Sequence, residues 1–165
     1  MLLGSVRHGK LAAMKNLSLT LFIAALVFAA DLGTKAYVVA TMRLGEYHWI
    51  IPGFFRIAYT RNSGGAFSLL PNAEWLFLGA GFLAVVLILW YGSRARHRAT
   101  RVALGLVLGG AAGNMADRAE SGKVVDFLDF RFWPVFNLAD AAVVVGIVLL
   151  VWLTLTGKEE RRDDG

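Results

Sequence analysis

The chain has 165 residues with a formal net charge of +5, and 57% of them are hydrophobic while only 18% are charged. This length is typical of a single domain, and so apolar a composition excludes an ordinary soluble domain. The basic residues lie between apolar blocks rather than in one stripe, so we expect no nucleic-acid partner, and the absence of cysteine excludes disulfides and thiolate sites.

A membrane helix needs about 20 apolar residues, so the chain has room for four. The first is predicted over about Leu17 to Met42, after a short basic tail at residues 1–16. A cleaved signal peptide ending at Ala29–Ala30 is the alternative, but the apolar pattern resumes after Asp31, which favours a span. Asp31 and Lys35 lie one helical turn apart, with the acid before the base, and so share a helix face.

Residues 43–72 have a different pattern, in which aromatic residues alternate with others on both sides of Pro52–Gly53. We predict a short β-hairpin over about Leu44 to Tyr59. Its Tyr, Trp and Phe side chains are typical of the membrane–water interface. A loop containing Asn62 to Phe67 then leads back towards lipid.

Three more apolar segments predict helices at residues 73–92, 102–118 and 135–156. A basic turn at 93–101 and a loop at 119–134 separate them, and a charged tail at 157–165 follows the last. Glycines in the third segment favour close helix packing. The predicted fold class is an all-α membrane protein, a single four-helix bundle with a small interfacial β-hairpin.

Lysine and arginine placement predicts the orientation of the bundle. Ten of these residues fall in the amino-terminal tail, the basic turn and the carboxy-terminal tail, whereas six fall in the opposite loops. Because cytoplasmic loops carry the excess of positive charge, both termini are predicted to be cytoplasmic. The acid-rich stretch from Asp117 to Asp140 would then face the outside.

Carboxylates in or beside apolar segments are rare without a partner or a task. Asp140 and Asn137 are three residues apart at the start of the last span and are predicted to share a face. Asp140 has a second interpretation, as an acid favoured by the helix dipole. Asp126, within an apolar run, is expected to stay near the membrane surface, whereas Asp129 is interpreted as a solvated loop acid.

Asp117 and Arg118 end the third span, where they either support a site or anchor the helix at the interface. Two carboxylates that meet in a partly dry site share one proton. Such a pair can hydrolyse a peptide bond, with the charged member as general base and the neutral member polarising the carbonyl. Paired membrane carboxylates also occur in proton and cation paths, and this alternative stays open from spacing alone.

Five sequence blocks begin, in order, at Asp31, Asn62, Gly109, Gly122 and Phe136, and they read DLGTK, NSGGAF, GGAAGNMADR, GKVVDF and FNLAD. This set resembles the lipoprotein signal peptidase (signal peptidase II) family of bacterial intramembrane aspartyl peptidases. Together they cover residues 31 to 140. Any one block alone would be a weak signal, but five in the right order are highly specific.

The resemblance implies Asp126 and Asp140 as the catalytic pair, and cleavage on the amino side of a diacylglyceryl-modified cysteine. Two or three carboxylates with no histidine nearby are too few ligands for a metal site, so we expect no metal, and we predict no cofactor. The partners that the resemblance implies are lipidated prolipoproteins, membrane lipids and peptide antibiotics such as globomycin, in the bacterial cytoplasmic (inner) membrane. The further residues that it implies as substrate-binding or supporting are Asn62, Gly110, Asn114, Asp117, Arg118, Asn137, Asp31 and Lys35.

Two rival functions remain at this stage. A small proton- or ion-coupled transporter would use Asp31, Lys35, Asp126 and Asp140 as a relay, but transporters place polar groups in both halves of the membrane. The cytoplasmic halves of the predicted spans are almost wholly apolar. A structural assembly factor would explain the topology but not the acids. The family's substrate clamp is also in doubt, since the loop from Asp129 to Asn137 is short.

Overall fold

The computed structural model describes residues 2–63, 74–93, 95 and 97–156, with side chains described from residue 17 onward except at 74–78 and 80. Gly64 to Phe67 of the predicted loop, Arg94 and Arg96 of the basic turn, and the tail from residue 157 lie outside the described residues. The helices are α1 (Leu2–Thr41), α2 (Glu74–Gly92), α3 (Arg98–Ser121) and α4 (Leu138–Leu155), and the strands are β1 (Tyr47–Ile51), β2 (Phe55–Asn62) and β3 (Val124–Asp129).

Within the described residues, α1 and α4 contain segments long and apolar enough to cross a membrane, Leu17–Thr41 and Leu138–Leu155. A shorter apolar helical segment covers Gly81–Gly92. Helix α1 begins at Leu2, before the predicted helix start at Leu17, while the apolar segment within it begins at Leu17 as predicted. Helix α1 also runs unbroken through Ala29–Ala30, the exit of the alternative signal peptide.

Helix α3 is the centre of the bundle and contacts α1, α2 and α4. Glycines make this possible because they let helix backbones approach closely. A Cβ atom at Gly109 would lie 2.6 Å from the Ala24 carbonyl oxygen of α1, and one at Gly110 would collide with the Ala139 carbonyl oxygen of α4. Helix α3 ends at Ser121 and is capped by the next residue, Gly122, which adopts a left-handed conformation (φ 71°) and donates its N–H to the Arg118 carbonyl.

The predicted hairpin is present, but the sheet has a third strand that the sequence analysis placed in a loop. The strand order is β1-β2-β3, with both pairs antiparallel. The β-branched and aromatic residues of VVDFLD were the available signal for β3. Because β3 follows α3 and pairs with β2, it brings Asp126 opposite Thr60 and close to Asn62.

Candidate active site

Asp126 and Asp140 come from different elements and line one cavity of about 320 Å³. Asp126 lies in the middle of β3, and its residue is only 3% exposed. Asp140 lies in the first turn of α4. The cavity therefore receives one carboxylate from the sheet and one from a helix.

Asn137 connects the two carboxylates. Its side-chain oxygen accepts from the Asp140 backbone N–H at 2.9 Å, and Asp140 Oδ2 accepts from the Asn137 backbone N–H at 3.3 Å, which forms a capping box at the start of α4. Asn137 Nδ2 donates to Asp126 Oδ1 at 2.7 Å. Asp140 therefore lies in the first turn of α4, as its helix-terminus interpretation predicted, and it also lines the cavity. A capping box also fixes the side chains that form it.

Two more asparagines donate to the pair. Asn114 Nδ2 donates to Asp140 Oδ1 at 2.7 Å, and Asn62 Nδ2 donates to Asp126 Oδ2 at 3.1 Å. The side-chain oxygen of Asn114 accepts from Lys35 Nζ at 3.2 Å and from Asn137 Nδ2 at 3.1 Å. Because lysine can only donate, it favours the orientation in which the Asn114 amide donates to Asp140.

Lys35 lies outside the cavity in a buried ion-pair network. Its ammonium is 2.7 Å from Asp31 Oδ2 and 3.0 Å from Asp117 Oδ2, and its side chain is 3% exposed. Asp117 Oδ2 also accepts from the Val125 backbone N–H at 3.0 Å, which ties α3 to the strand that carries Asp126. Asp117 is therefore a partner of Lys35 and of β3 rather than an interfacial anchor.

Arg118 lies in the wall of the cavity, whereas Gly110 lies at the contact between α3 and α4. Arg118 lines the cavity with the two carboxylates, and its Nη1 donates to the Asn114 carbonyl at 3.4 Å. Gly110 packs against the backbone of α4 at Ala139, where a side chain has no room. Gly110 thus sets the distance between the helices that carry Asn114 and Asp140.

The electrostatics of the cavity favour one proton on the pair. Burial first, and then the negative charge of Asp140, raise the pKa of the Asp126 carboxyl to about 7, although the amides of Asn62 and Asn137 act in the opposite direction. Asp126 is then a mixture of acid and base at neutral pH. A carboxyl in this condition is suited to proton transfer.

The prediction for Asp129 is wrong. This residue is 3% exposed on β3, and its Oδ2 accepts from Arg56 Nε at 2.6 Å. Burial acts to raise the pKa of Asp129, but the Arg131 backbone N–H and the Arg56 guanidinium outweigh it and hold the pKa below its ordinary value. Arg56, the partner of Asp129, lies on β2 and is 73 positions away in sequence. Because no local pattern reveals this pair, the sequence analysis placed Asp129 in solvent.

Comparison with known proteins gives a concordant result. The sequence profile of the signal peptidase (SPase) II family matches residues 23–156. This chain belongs to the signal peptidase II family. The prediction of an aspartic peptidase of this type, made from the five sequence blocks, is confirmed.

Individual members of the signal peptidase II family are similar over most of their length. A lipoprotein signal peptidase of Pelotomaculum thermopropionicum is 45% identical over 147 residues, covering 85% of this chain and 97% of that protein. One of Symbiobacterium thermophilum is 48% identical over 140 residues, covering 81% and 91%. A solved bacterial membrane enzyme structure superposes with a TM-score of 0.80 at 28% identity, covering 88% of this chain and 93% of the other. The chain is accordingly a membrane protein.

Proposed function

We propose that the chain is an intramembrane endopeptidase that removes signal peptides from diacylglyceryl-modified prolipoproteins, with Asp126 and Asp140 as its catalytic pair. It would cut on the amino side of the lipidated cysteine. The observation that carries this proposal is the shared cavity. In it, both carboxylates accept hydrogen bonds from side-chain amides, and the pKa of Asp126 is raised to about 7.

The chemistry requires one proton on the pair. The charged carboxylate takes a proton from water while the water oxygen attacks the scissile carbonyl carbon, and the neutral carboxyl donates to the carbonyl oxygen. The tetrahedral intermediate then collapses: its C–N bond breaks, and the leaving nitrogen takes the proton that the base received. As the carbonyl re-forms, one hydroxyl proton of the intermediate returns to the carboxylate that first donated, so the pair again holds one proton.

The neighbouring polar residues have supporting roles in this proposal. Asn62 and Asn114 hold the carboxylates by donating to them, and Arg118 lines the cavity as a cation that favours negative charge developing there. Asn137 fixes Asp140 through the capping box. Asp31, Lys35 and Asp117 hold these elements together, and Gly110 permits the close contact of α3 with α4.

The proposed topology follows the charge distribution. All four helices would cross the bacterial inner membrane, with both termini cytoplasmic and the sheet and cavity on the outer face. A lipidated precursor would arrive with its cleavage site already confined to this face, which lowers the entropy cost of alignment. Membrane lipids and peptide antibiotics such as globomycin would contact the same region.

The test is cleavage of a purified diacylglyceryl-modified precursor in detergent or vesicles, followed by release of the signal peptide. Asp126→Asn and Asp140→Asn are each expected to abolish release while retaining the wild-type elution profile in size-exclusion chromatography. The matched control is Glu120→Gln, an exposed acid near the end of α3, which should cleave at the wild-type rate. Ready cleavage by either aspartate variant would refute the assignment.

A further inference from the structure

A loop of aromatic residues, 130–136, separates two cavities beside Asp140. The first is the cavity that holds the carboxylate pair. The second has a volume of about 430 Å³ and shares Trp133, Phe136, Asp140 and Val144 with the first. Apart from Asp140, the lining of the second cavity is apolar, and it is completed by Phe130, Phe132, Ala141 and Val145.

The second cavity lies on the exposed face of α4, which points away from the other helices. Val144 and Val145 line it, and they are 59% and 56% exposed. Exposed valines on a membrane helix face lipid, so an alkyl chain can enter this cavity without leaving an apolar environment. The polar group to which such a chain is attached would lie next to Asp140.

The aromatic loop is closed at its base and held by Asp129. Leu128 and Phe136 exchange backbone hydrogen bonds of 2.8 Å and 3.1 Å across the base. Asp129 Oδ1 accepts from the Arg131 backbone N–H at 2.8 Å, and Arg131 has a left-handed backbone with φ 64°. A non-glycine residue in this conformation is kept there by its surroundings.

Arg56 connects this loop to the rest of the sheet. Its Nε donates to Asp129 at 2.6 Å, and its guanidinium lies 4.1 Å from the ring centroid of Tyr47 and 5.4 Å from that of Trp49. The guanidinium is therefore held by a carboxylate and by the rings of β1. Ring contacts also attach the aromatic loop to β2, since the ring centroids of Phe130 and Phe55 are 4.6 Å apart.

We propose that the second cavity binds an alkyl chain of the lipidated substrate, and that Arg56 and Asp129 are positioning residues which fix the aromatic loop as its wall. The proposal rests on the proposed function. The apolar lining of the second cavity offers a hydrocarbon chain complementary shape and dispersion contacts. Asp140 lies at the end of this cavity where the peptide part of the substrate would begin. The wall is fixed in advance, so binding does not have to order it.

The first test fills the cavity. Val145→Trp places a large ring against its lining, and the matched control Val148→Trp places the same ring one turn further along the lipid-facing side of α4, where Val148 is 62% exposed. Substrates of one peptide sequence carry long (C16) or short (C6) acyl chains. We expect Val145→Trp to raise KM for the long-chain substrate about tenfold and to change KM for the short-chain one less than twofold. Equal changes for both substrates, or for both variants, would overturn the proposal.

The second test loosens the wall. Arg56→Gln and Asp129→Asn should each raise KM for the long-chain substrate several-fold and leave kcat within about twofold, since neither residue contacts the reacting atoms. The control is Arg61→Gln, which removes another cation from β2 away from the aromatic loop. A fall in kcat at constant KM would contradict a positioning role. If either variant fails to fold, the Val145 and Val148 pair still decides the question.

These results are separable from the proposed function. If wild-type enzyme cleaves and the two aspartate variants do not, the catalytic assignment stands whatever the chain-length dependence shows. If the chain-length dependence is unchanged in Val145→Trp, only the alkyl-chain site is lost.

Discussion

The Asp31 carboxylate in α1 accepts a hydrogen bond of 2.9 Å from the Ala139 backbone N–H at the start of α4, although the residues are 108 positions apart. The first helix therefore satisfies one of the open N–H groups of the helix that carries Asp140. Gly113 of α3 lies against both, and a Cβ atom there would collide with Asp31. Three helices thus meet at one point behind the site.

Gly113→Ala is expected to separate these helices. Overpacking of this kind costs about 1–3 kcal/mol, so the melting temperature in detergent should fall and activity with it. The control is Gly33→Ala in α1, where, among the described residues and apart from the backbone of α1 itself, no atom lies within 4 Å of the added Cβ. This variant should be neutral or slightly stabilising, because alanine is the better helix former. Equal effects of the two substitutions would contradict the close-packing argument.

The rate of cleavage is expected to show a bell-shaped dependence on pH. The active form holds one proton on the pair, so activity falls at low pH when both carboxyls are protonated. It falls again above about pH 7, the pKa of Asp126, when the last proton leaves. The measurement is kcat against pH with a peptide that does not itself titrate. A rate that stays constant from pH 6 to pH 9 would exclude the shared proton.

The same raised pKa predicts that the site reduces stability at high pH. The unfolded Asp126 carboxyl ionises near 3.8, whereas the folded one keeps its proton to about 7. The folded state therefore binds more protons between these values, and this group's contribution makes stability fall as pH rises through them. Asp126→Asn cannot ionise, so it should melt several degrees above wild type at pH 8 and by a smaller margin at pH 4. A margin independent of pH would contradict the assignment.

Lys35→Met is expected to be strongly destabilising because it leaves the buried carboxylates of Asp31 and Asp117 without their cation. Loss of one partner of a buried pair typically costs about 3–5 kcal/mol. Combining it with Asp117→Asn removes one negative charge as well and should recover part of the loss. The measurement is thermal unfolding of the two variants side by side. No recovery in the double variant would show that the ion pair with Asp117 is not the origin of the effect.

Chelation should leave turnover unchanged. In the proposed mechanism the carboxylate pair supplies both the base and the acid, so no step requires a metal. Cleavage is measured with and without EDTA, and a zinc peptidase assayed in parallel confirms that the chelator works. Activity that EDTA removes and added Zn²⁺ restores would contradict the two-carboxylate mechanism.

Much of this site could be predicted because its residues lie in short, contiguous blocks. Asp140 and Asn137 are three residues apart, so the helix period alone placed them together. The placement of β3 could not be read in this way, since its pairing with β2 joins residues more than sixty positions apart. Asp129 was misinterpreted for that reason: its partner, Arg56, lies on a strand whose register no local pattern reveals.

The sequence by itself determined that this is a membrane protein with an acid-rich stretch between its last two apolar segments, because hydrophobic runs and period follow from residues near one another in the chain. Its blocks also indicated the family. Only the tertiary structure decided which groups contact which: that Asn137 lies between the two carboxylates, that Lys35 orients Asn114, and that Asp129 holds the aromatic loop. Such contacts depend on helix packing and strand register, which are set by the whole fold at once.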